Sequence, residues 1–377
     1  MTLPGTHTAM QEHPGKLPLQ TRLRADLAGL APSYFGLVMA TGIVSIAAFL
    51  QGWPYLARGL FYLNNGMYAV LWLLTLARLV MVPRRLFNDL IDHLRGPGFF
   101  TIVAGTGVLG AQYVLLLGNY RIALLLWVVA LVLWLGLTYA IFTAFTVKEN
   151  KPELDKGISG AWLLAVVATQ SVAVLAALLA AHVAQPYRLE MNFLALSMWL
   201  WGGMLYIWMM SLIFYRYTFF AFAPGDLSPP YWINMGAMAI STLAGSLLII
   251  NAPDAPFLLS LLPFLKGFTV FYWATGTWWI PMLVVLSIWR HVYKQFPLRY
   301  DPLYWGAVFP LGMYAASSHR MLRAMDFQFL AFLPSVFLGL GLITWSLAFI
   351  GLLRDVLRRF DLLRPLPPLP PATQKTP

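Results

Sequence analysis

Ten long apolar stretches run through this chain of 377 residues, and they constrain its fold more than any other feature. Most of them approach the roughly 20 residues that a helix needs to cross a hydrocarbon layer about 30 Å thick. Of all residues, 60% are hydrophobic and 10% are charged, whereas soluble domains are about 45–50% apolar and about 25% charged. No stretch alternates polar and apolar residues as the strands of a membrane barrel do. We therefore predict an all-α integral membrane protein.

The predicted spans divide the chain into three parts. Residues 1–31 are expected to form a cytoplasmic N-terminal segment, 32–353 a ten-helix transmembrane domain, and 354–377 a proline-rich, disordered cytoplasmic tail. The ten spans are placed at 32–50, 61–82, 98–117, 122–146, 158–182, 191–215, 230–250, 267–289, 303–318 and 329–353.

The charged residues predict how the chain is oriented and exclude several kinds of chemistry. The net charge is +11, and most of the 25 lysines and arginines fall in loops on the side of the N-terminus. By the positive-inside rule, both termini are expected on the cytoplasmic side of a cell membrane. Basic runs here therefore report topology, and no nucleic-acid partner is predicted. The absence of cysteine from the sequence excludes disulfides and thiolate metal sites, and we expect no cofactor and no metal.

The odd-numbered spans carry an internal repeat. The first span contains Pro32, Tyr34, Phe35, Val38, Thr41 and Gly42, and the third contains Pro97, Phe99, Phe100, Val103, Thr106 and Gly107. The ninth has Pro302, Tyr304, Trp305, Gly306, Val308 and Gly312, and the seventh has a weaker copy in Pro229, Tyr231, Trp232 and Met235. The fifth span, which begins near Gly160 and Trp162, shows almost none of the pattern. Such a repeat predicts five helical hairpins arranged with pseudo-fivefold symmetry around a central pore.

The predicted pore is poor in ionisable residues, and Arg78 is expected to snorkel to the membrane interface. This favours a channel or uniporter over a proton-driven pump. Hydroxyl groups and bare backbone can solvate an anion weakly, although any single Ser or Thr could instead serve helix packing. The predicted pore-lining residues are Met39, Thr41, Gly42, Ser45, Ala104, Thr106, Gly107, Gly236, Gly306, Pro310 and Gly312.

Phe309 departs from the repeat, because Met39, Ala104 and Gly236 are its equivalents in the other copies. Pro310 follows it and removes one backbone N–H from the ninth helix, which predicts a kink. A bulky ring at a layer where two other copies are small could close the pore. Phe309 is therefore the predicted gate, and a position in the core or facing lipid is the alternative.

Three segments also resemble a known family. The run from Pro32 to Ser45, the run Pro230-Tyr-Trp-Ile-Asn-Met-Gly236 and the run from Trp305 to Gly312 are similar to the tellurite-resistance/dicarboxylate transporter family, relatives of plant slow anion channels and yeast malate and sulfite transporters. The resemblance implies ten helices in five hairpins, a central pore in each subunit of a homotrimer, and a phenylalanine plug at Phe309. It also implies transport of small anions across the lipid bilayer.

Some alternatives stay open from the sequence. The anion could be a dicarboxylate such as malate, sulfite, tellurite, chloride or nitrate. An intramembrane enzyme or a non-transporting receptor or structural protein would be a different class, but no HExxH motif, aspartate pair or histidine cluster supports an enzyme. Tryptophans on the even-numbered spans could form the trimer interface. They are Trp72, Trp127, Trp134, Trp199, Trp201 and Trp208.

Overall fold

The computed structural model describes residues 19–298 and 300–359, and each predicted span corresponds to one long helix. We number these helices α1 to α10. Their bounds are Gly36–Leu50, Pro54–Met81, Phe100–Leu117, Tyr120–Val147, Leu164–Ala180, Tyr187–Phe219, Ile233–Asn251, Leu262–Ile288, Trp305–Met325 and Leu333–Arg359. Shorter helices are Leu19–Gly29, Pro83–Leu90, Leu154–Gly157 and Pro256–Ser260.

Within the described residues, nine of the long helices are long and apolar enough to cross a membrane. The exception is α9, whose second half carries His319, Arg320 and Arg323. The prediction of an all-α membrane protein is confirmed, whereas the count of ten spans stays a prediction. The predicted tail lies largely outside the described residues, although α10 continues to Arg359.

The five odd-numbered helices form a closed ring. Helix α1 packs against α3, α3 against α5, α5 against α7, α7 against α9, and α9 returns to α1. A short 3₁₀ turn precedes each of them, and these turns contact one another in the same cyclic order. The inner helices therefore all begin at one face of the bundle, here called the N face, and end at the opposite C face. The five turns are Pro32–Phe35, Gly96–Phe99, Gly160–Leu163, Pro229–Trp232 and Pro302–Tyr304.

The fifth span shares this backbone pattern, contrary to the expectation that it lacks the repeat. In the other copies a proline in the first two positions presets the 3₁₀ turn. Before Gly160, Ser159 is extended, and its Oγ accepts a hydrogen bond from the N–H of Ala161 at 3.3 Å. A serine cap thus starts the turn where proline does so elsewhere. The sequence comparison missed this copy of the repeat because a serine cap, and not a proline, forms the same turn.

Each even-numbered helix packs on the outside of the inner helix that precedes it, so the chain forms five helical hairpins. In α1, α3, α5 and α7, the apolar segments are 78% to 100% buried, against 17% to 56% in the outer helices. The inner ring is therefore shielded from lipid, and the outer helices present the apolar surface that a bilayer requires.

Arg78 does not snorkel to an interface. Its side chain is 3% exposed and donates a hydrogen bond to the carboxylate of Asp89 in the short helix Pro83–Leu90. Arg95 lies 3.2 Å from the same carboxylate oxygen, and Arg78 also donates to the carbonyl of Ala28 at 3.3 Å. The prediction was wrong because the chain folds back after α2 and brings a carboxylate over the end of that helix. The hydrogen bond from Arg78 to Ala28 also ties the helix Leu19–Gly29 to α2.

Candidate functional site

A narrow cavity of about 20 Å³ lies between the five inner helices, and every one of them contributes to its wall. Apart from Gly107, the lining positions within one helix are separated by three, four or seven residues, which places them on a single face. Because the helices run in parallel, the positions form three successive layers. From the N face, these are Ile43, Val108, Ser171, Ile240 and Met313; then Ile46, Ala111, Val174 and Leu243; then Leu50, Leu115, Leu178, Leu247 and Arg320; Gly107 completes the wall.

The wall of this axial cavity is almost entirely apolar. Ser171 is its one hydroxyl residue, and its Oγ donates to the carbonyl of Ala168 in its own helix at 2.7 Å. Arg320 is the one charged residue in the wall and belongs to the layer nearest the C face. A narrow apolar passage resists filling by water and ions. The axis can therefore act as a barrier, with a positive charge at one end.

The layer predicted to contain the gate lies directly next to this cavity. Phe309, Met39, Ala104 and Gly236 each precede a residue of the first cavity layer by four positions, which is about one helical turn. Phe309, Met39 and Ala104 are 0% exposed. In α5 the corresponding residue is Val167, also 0% exposed, which supplies the fifth member of the layer. None of these residues lines the cavity, so the open space ends before it reaches the Phe309 ring.

The predicted glycines mostly serve close packing between inner helices. A Cβ at Gly236 would lie 2.8 Å from Cγ of Pro310, and one at Gly306 would lie 3.4 Å from Cα of Pro230. A Cβ at Gly312 would lie 3.0 Å from Cγ2 of Val44. These positions let α9 approach α7 on one side and α1 on the other. Gly306, Pro310 and Gly312 thus lie at contacts between inner helices, and a role for them in lining a pore stays a prediction.

The predicted hydroxyl residues face the outer helices. Thr41 accepts a hydrogen bond from Nε1 of Trp345 in α10 at 2.9 Å. Ser45 donates to the carbonyl of Ala57 in α2 at 2.7 Å. In Thr106 the hydroxyl lies 3.0 Å from that of Tyr68, also in α2. Each stands two positions from a residue of the aligned layers and is therefore rotated about 200° around the helix from it. A pore-lining role for these hydroxyl groups stays a prediction.

Gly42 and Gly107 occupy different places although they are equivalent in the repeat. A Cβ at Gly42 would lie 2.6 Å from Cγ1 of Val108 and 2.9 Å from Nδ2 of Asn64, so Gly42 sits in a helix contact. Beside it, Asn64 donates to Oε1 of Gln112 at 2.8 Å, and both amides are fully buried. Gly107 lines the axial cavity and is the one predicted pore residue to do so.

Sequence reasoning missed most of the axial wall. The repeat contained the necessary signal, because Leu50, Leu115 and Arg320 stand at the same distance from Met39, Ala104 and Phe309 respectively. Extending the aligned layers by further turns would have identified them. Within the described residues, no three His, Asp or Glu side chains are grouped as a metal ion would need.

Comparisons with known proteins agree with this architecture. The model of a family described as voltage-dependent anion channel matches residues 29–353. An uncharacterized membrane protein of Mycobacterium tuberculosis is 38% identical over 152 residues, covering 40% of this chain and 77% of the relative. Two proteins of Methanocaldococcus jannaschii named as uncharacterized transporters are 24% and 26% identical, covering 87% and 86% of this chain and 93% and 90% of their own lengths. Since the family match spans nearly the whole helix bundle, the chain belongs to the voltage-dependent anion channel family.

Proposed function

We propose that this membrane protein conducts small anions passively along the axis of its inner ring, as a channel or uniporter. The observation that carries the proposal is the axial cavity to which all five inner helices contribute. Its wall includes Arg320 but no Asp, Glu or His among the described residues. A passage without carboxylates lacks the groups that attract cations or relay protons. Dicarboxylates such as malate, sulfite, tellurite and halides all fit this description.

The proposal includes a gate at Phe309. Its ring is fully buried one helical turn from Met313 in the cavity wall. Pro310 removes a backbone N–H beside it, and the bare backbone of Gly236 faces that proline. A side chain next to a proline in a helix can shift with modest backbone change, because one helical hydrogen bond is already missing. Movement of the Phe309 ring would connect the cavity to the N face.

We also propose a homotrimer in a cell membrane, with the N face cytoplasmic. The tryptophan set contributes less to such an interface than the sequence suggested. Trp134 donates to Thr169 at 2.8 Å, and Trp199 donates to the carbonyl of Ser241 at 2.8 Å, so both serve contacts within the chain. Trp201 and Trp208 on α6 are 38% and 49% exposed, with ring centroids 5.5 Å apart. Their pair is the part of the set that could contact another subunit.

Anion flux into vesicles that contain only this protein tests the proposed function. We expect chloride, nitrate and malate to pass, and reversal potentials for chloride and nitrate to differ little because the wall offers no specific ligand set. A strongly cation-selective current would contradict the proposal. If no anion crosses even after the Phe309 ring is removed, a receptor, structural or enzymatic role becomes the better interpretation.

A further inference from the structure

One position in the axial cavity breaks the equivalence of the five inner helices. In the layer nearest the C face, four helices contribute leucine, and α9 contributes Arg320. The four leucines are Leu50, Leu115, Leu178 and Leu247. A fifth leucine would complete the apolar ring and would suit a purely structural role. An arginine there places a permanent positive charge at the mouth of an apolar passage, because its guanidinium stays protonated at any physiological pH.

Arg320 is also unlike other arginines near the membrane. Arg78 is paired with Asp89, Arg188 lies 3.6 Å from the Asp254 carboxylate, and Arg216 makes a 3.6 Å contact with Asp226. Although the backbone of Arg320 belongs to α9, its side chain forms no hydrogen bond and no ion pair among residues 19–298 and 300–359. It is half-buried, so its charge has lost part of its water without gaining a protein partner. A partly desolvated guanidinium without a carboxylate is well suited to take an anion from solution.

The charged groups around Arg320 do not cancel its charge, because the one arginine and the one aspartate near it, Arg323 and Asp326, offset each other. An open cavity of about 540 Å³, here called the vestibule, lies at the C face. Its wall includes His319, Arg323, Asp326 and Gln51. Asp326 is the one carboxylate there, and its Oδ1 accepts a hydrogen bond from Gln328 at 3.3 Å. His319 adjoins Arg320 in the chain and Gln51 adjoins Leu50, so the vestibule borders the mouth of the axial cavity.

We infer that Arg320 forms an anion-binding site at the C-face mouth of the axial cavity, which takes one halide-sized anion or one carboxylate group of a larger anion. The inference rests on the proposed function and names the first binding site on the conduction path. A single charge suits this task, because a site in a channel must attract its ion yet release it. The four leucines beside it offer no competing ligand, and the vestibule supplies anions from the solution.

The test measures flux as a function of anion concentration in vesicles, with the Phe309→Ala variant as the open background. Adding Arg320→Leu makes the outer layer five leucines, a composition that four helices already tolerate. We expect the concentration for half-maximal flux from the C face to rise about tenfold, as loss of a charge-assisted contact implies. Arg320→Gln should behave like Arg320→Leu, which guards against an effect of side-chain shape.

Arg320→Lys distinguishes the two kinds of ligand, because lysine keeps the charge but loses the forked geometry that binds carboxylates. A larger loss of affinity for malate than for chloride would identify a carboxylate site, and equal retention of both would identify a point-charge site for halides. If Phe309→Ala conducts anions and neither Arg320→Leu nor Arg320→Gln changes half-saturation, the inference is overturned while the proposed function stands. If Phe309→Ala carries no anion at all, the proposed function itself fails.

Discussion

Pro310 of α9 packs against the bare backbone of Gly236 in α7, where a Cβ would lie 2.8 Å from the proline Cγ. The contact joins two inner helices at the layer of the Phe309 ring. Proline at this point frees a backbone carbonyl of α9, and glycine in the facing helix gives the ring of the proline room. Phe309, the proposed gate, therefore lies beside a contact between Pro310 and Gly236 that is possible because Gly236 has no Cβ.

Gly236→Ala is expected to destabilise the protein, because the added methyl group would overlap Pro310. Overpacking of this kind costs about 1–3 kcal/mol. Gly306→Ala is a matched control, since its Cβ would lie 3.4 Å from the nearest atom, in ordinary contact with Pro230. Thermal unfolding in mild detergent should show a lower midpoint for the first variant and little change for the second. Equal midpoints would show that the α7–α9 contact is not tight.

Phe309→Ala is expected to raise anion conductance, because removing the ring extends the open space of the axial cavity toward the N face. It should also cost about 3–5 kcal/mol of stability, as deletion of a buried phenylalanine ring usually does. Phe61→Ala is the matched control. Phe61 is 2% exposed and packs on Tyr113 with ring centroids 5.0 Å apart, away from the axis.

Single-channel or vesicle-flux recordings separate the two effects of removing Phe309. The control should lose stability without gaining conductance, which accounts for general loosening of the bundle. Identical currents from wild type and Phe309→Ala, with equal amounts of protein in the membrane, would remove Phe309 as the gate.

The orientation of the hydroxyl residues can be tested by adding further substitutions to the Phe309→Ala variant. Thr41→Val should leave conductance unchanged and cost about 1 kcal/mol, since Trp345 loses its acceptor. Ala111→Leu should lower conductance, because Ala111 is the smallest lining residue of the middle cavity layer. Flux measurements on both variants decide between the two faces of the helices. A large conductance change from Thr41→Val alone would place the conduction path elsewhere.

The buried ion pair after α2 gives a stability prediction that is independent of transport. Asp89→Asn should cost about 3–5 kcal/mol, because Arg78 would keep its charge inside the protein without a carboxylate. Arg95→Gln should cost no more than about 1 kcal/mol, since the Arg95 side chain is 44% exposed. Thermal unfolding of both variants provides the measurement, and equal losses would show that Arg78 is solvated by other groups.

His93, in the connection before α3, gives a pH prediction. Burial lowers its pKa below the usual value of 6.5, and nearby Lys148 adds to this effect. Its ring stacks on Phe145 with centroids 4.2 Å apart. Because the folded pKa is depressed, the unfolded chain binds the proton first. Stability should therefore be intact above pH 6.5 and decline as the pH falls below it, and His93→Gln should reduce that decline in thermal unfolding experiments.

The sequence predicted the hairpin architecture well because helix length and apolar composition follow directly from the thickness of a bilayer. It also aligned Met39, Ala104, Gly236 and Phe309 in one layer, which the structure places next to the axial cavity. The assignment of pore-facing residues stays a prediction, and one residue of that set, Gly107, lines the axial cavity. Small and hydroxyl residues suit both a pore wall and a tight helix contact, so residue type does not separate the two uses. Angular position does, and Thr41 cannot share a face with Met39.

A five-membered ring encoded in one polypeptide can change one position at a time. In an assembly of five identical subunits, an arginine at the place of Arg320 would appear five times. The five guanidinium groups would then repel one another around the mouth of the cavity. Here the other four positions stay leucine. Evolution can therefore adjust affinity at the mouth in steps of a single charge, and it can alter one fifth of the circumference while the remaining helices keep their packing.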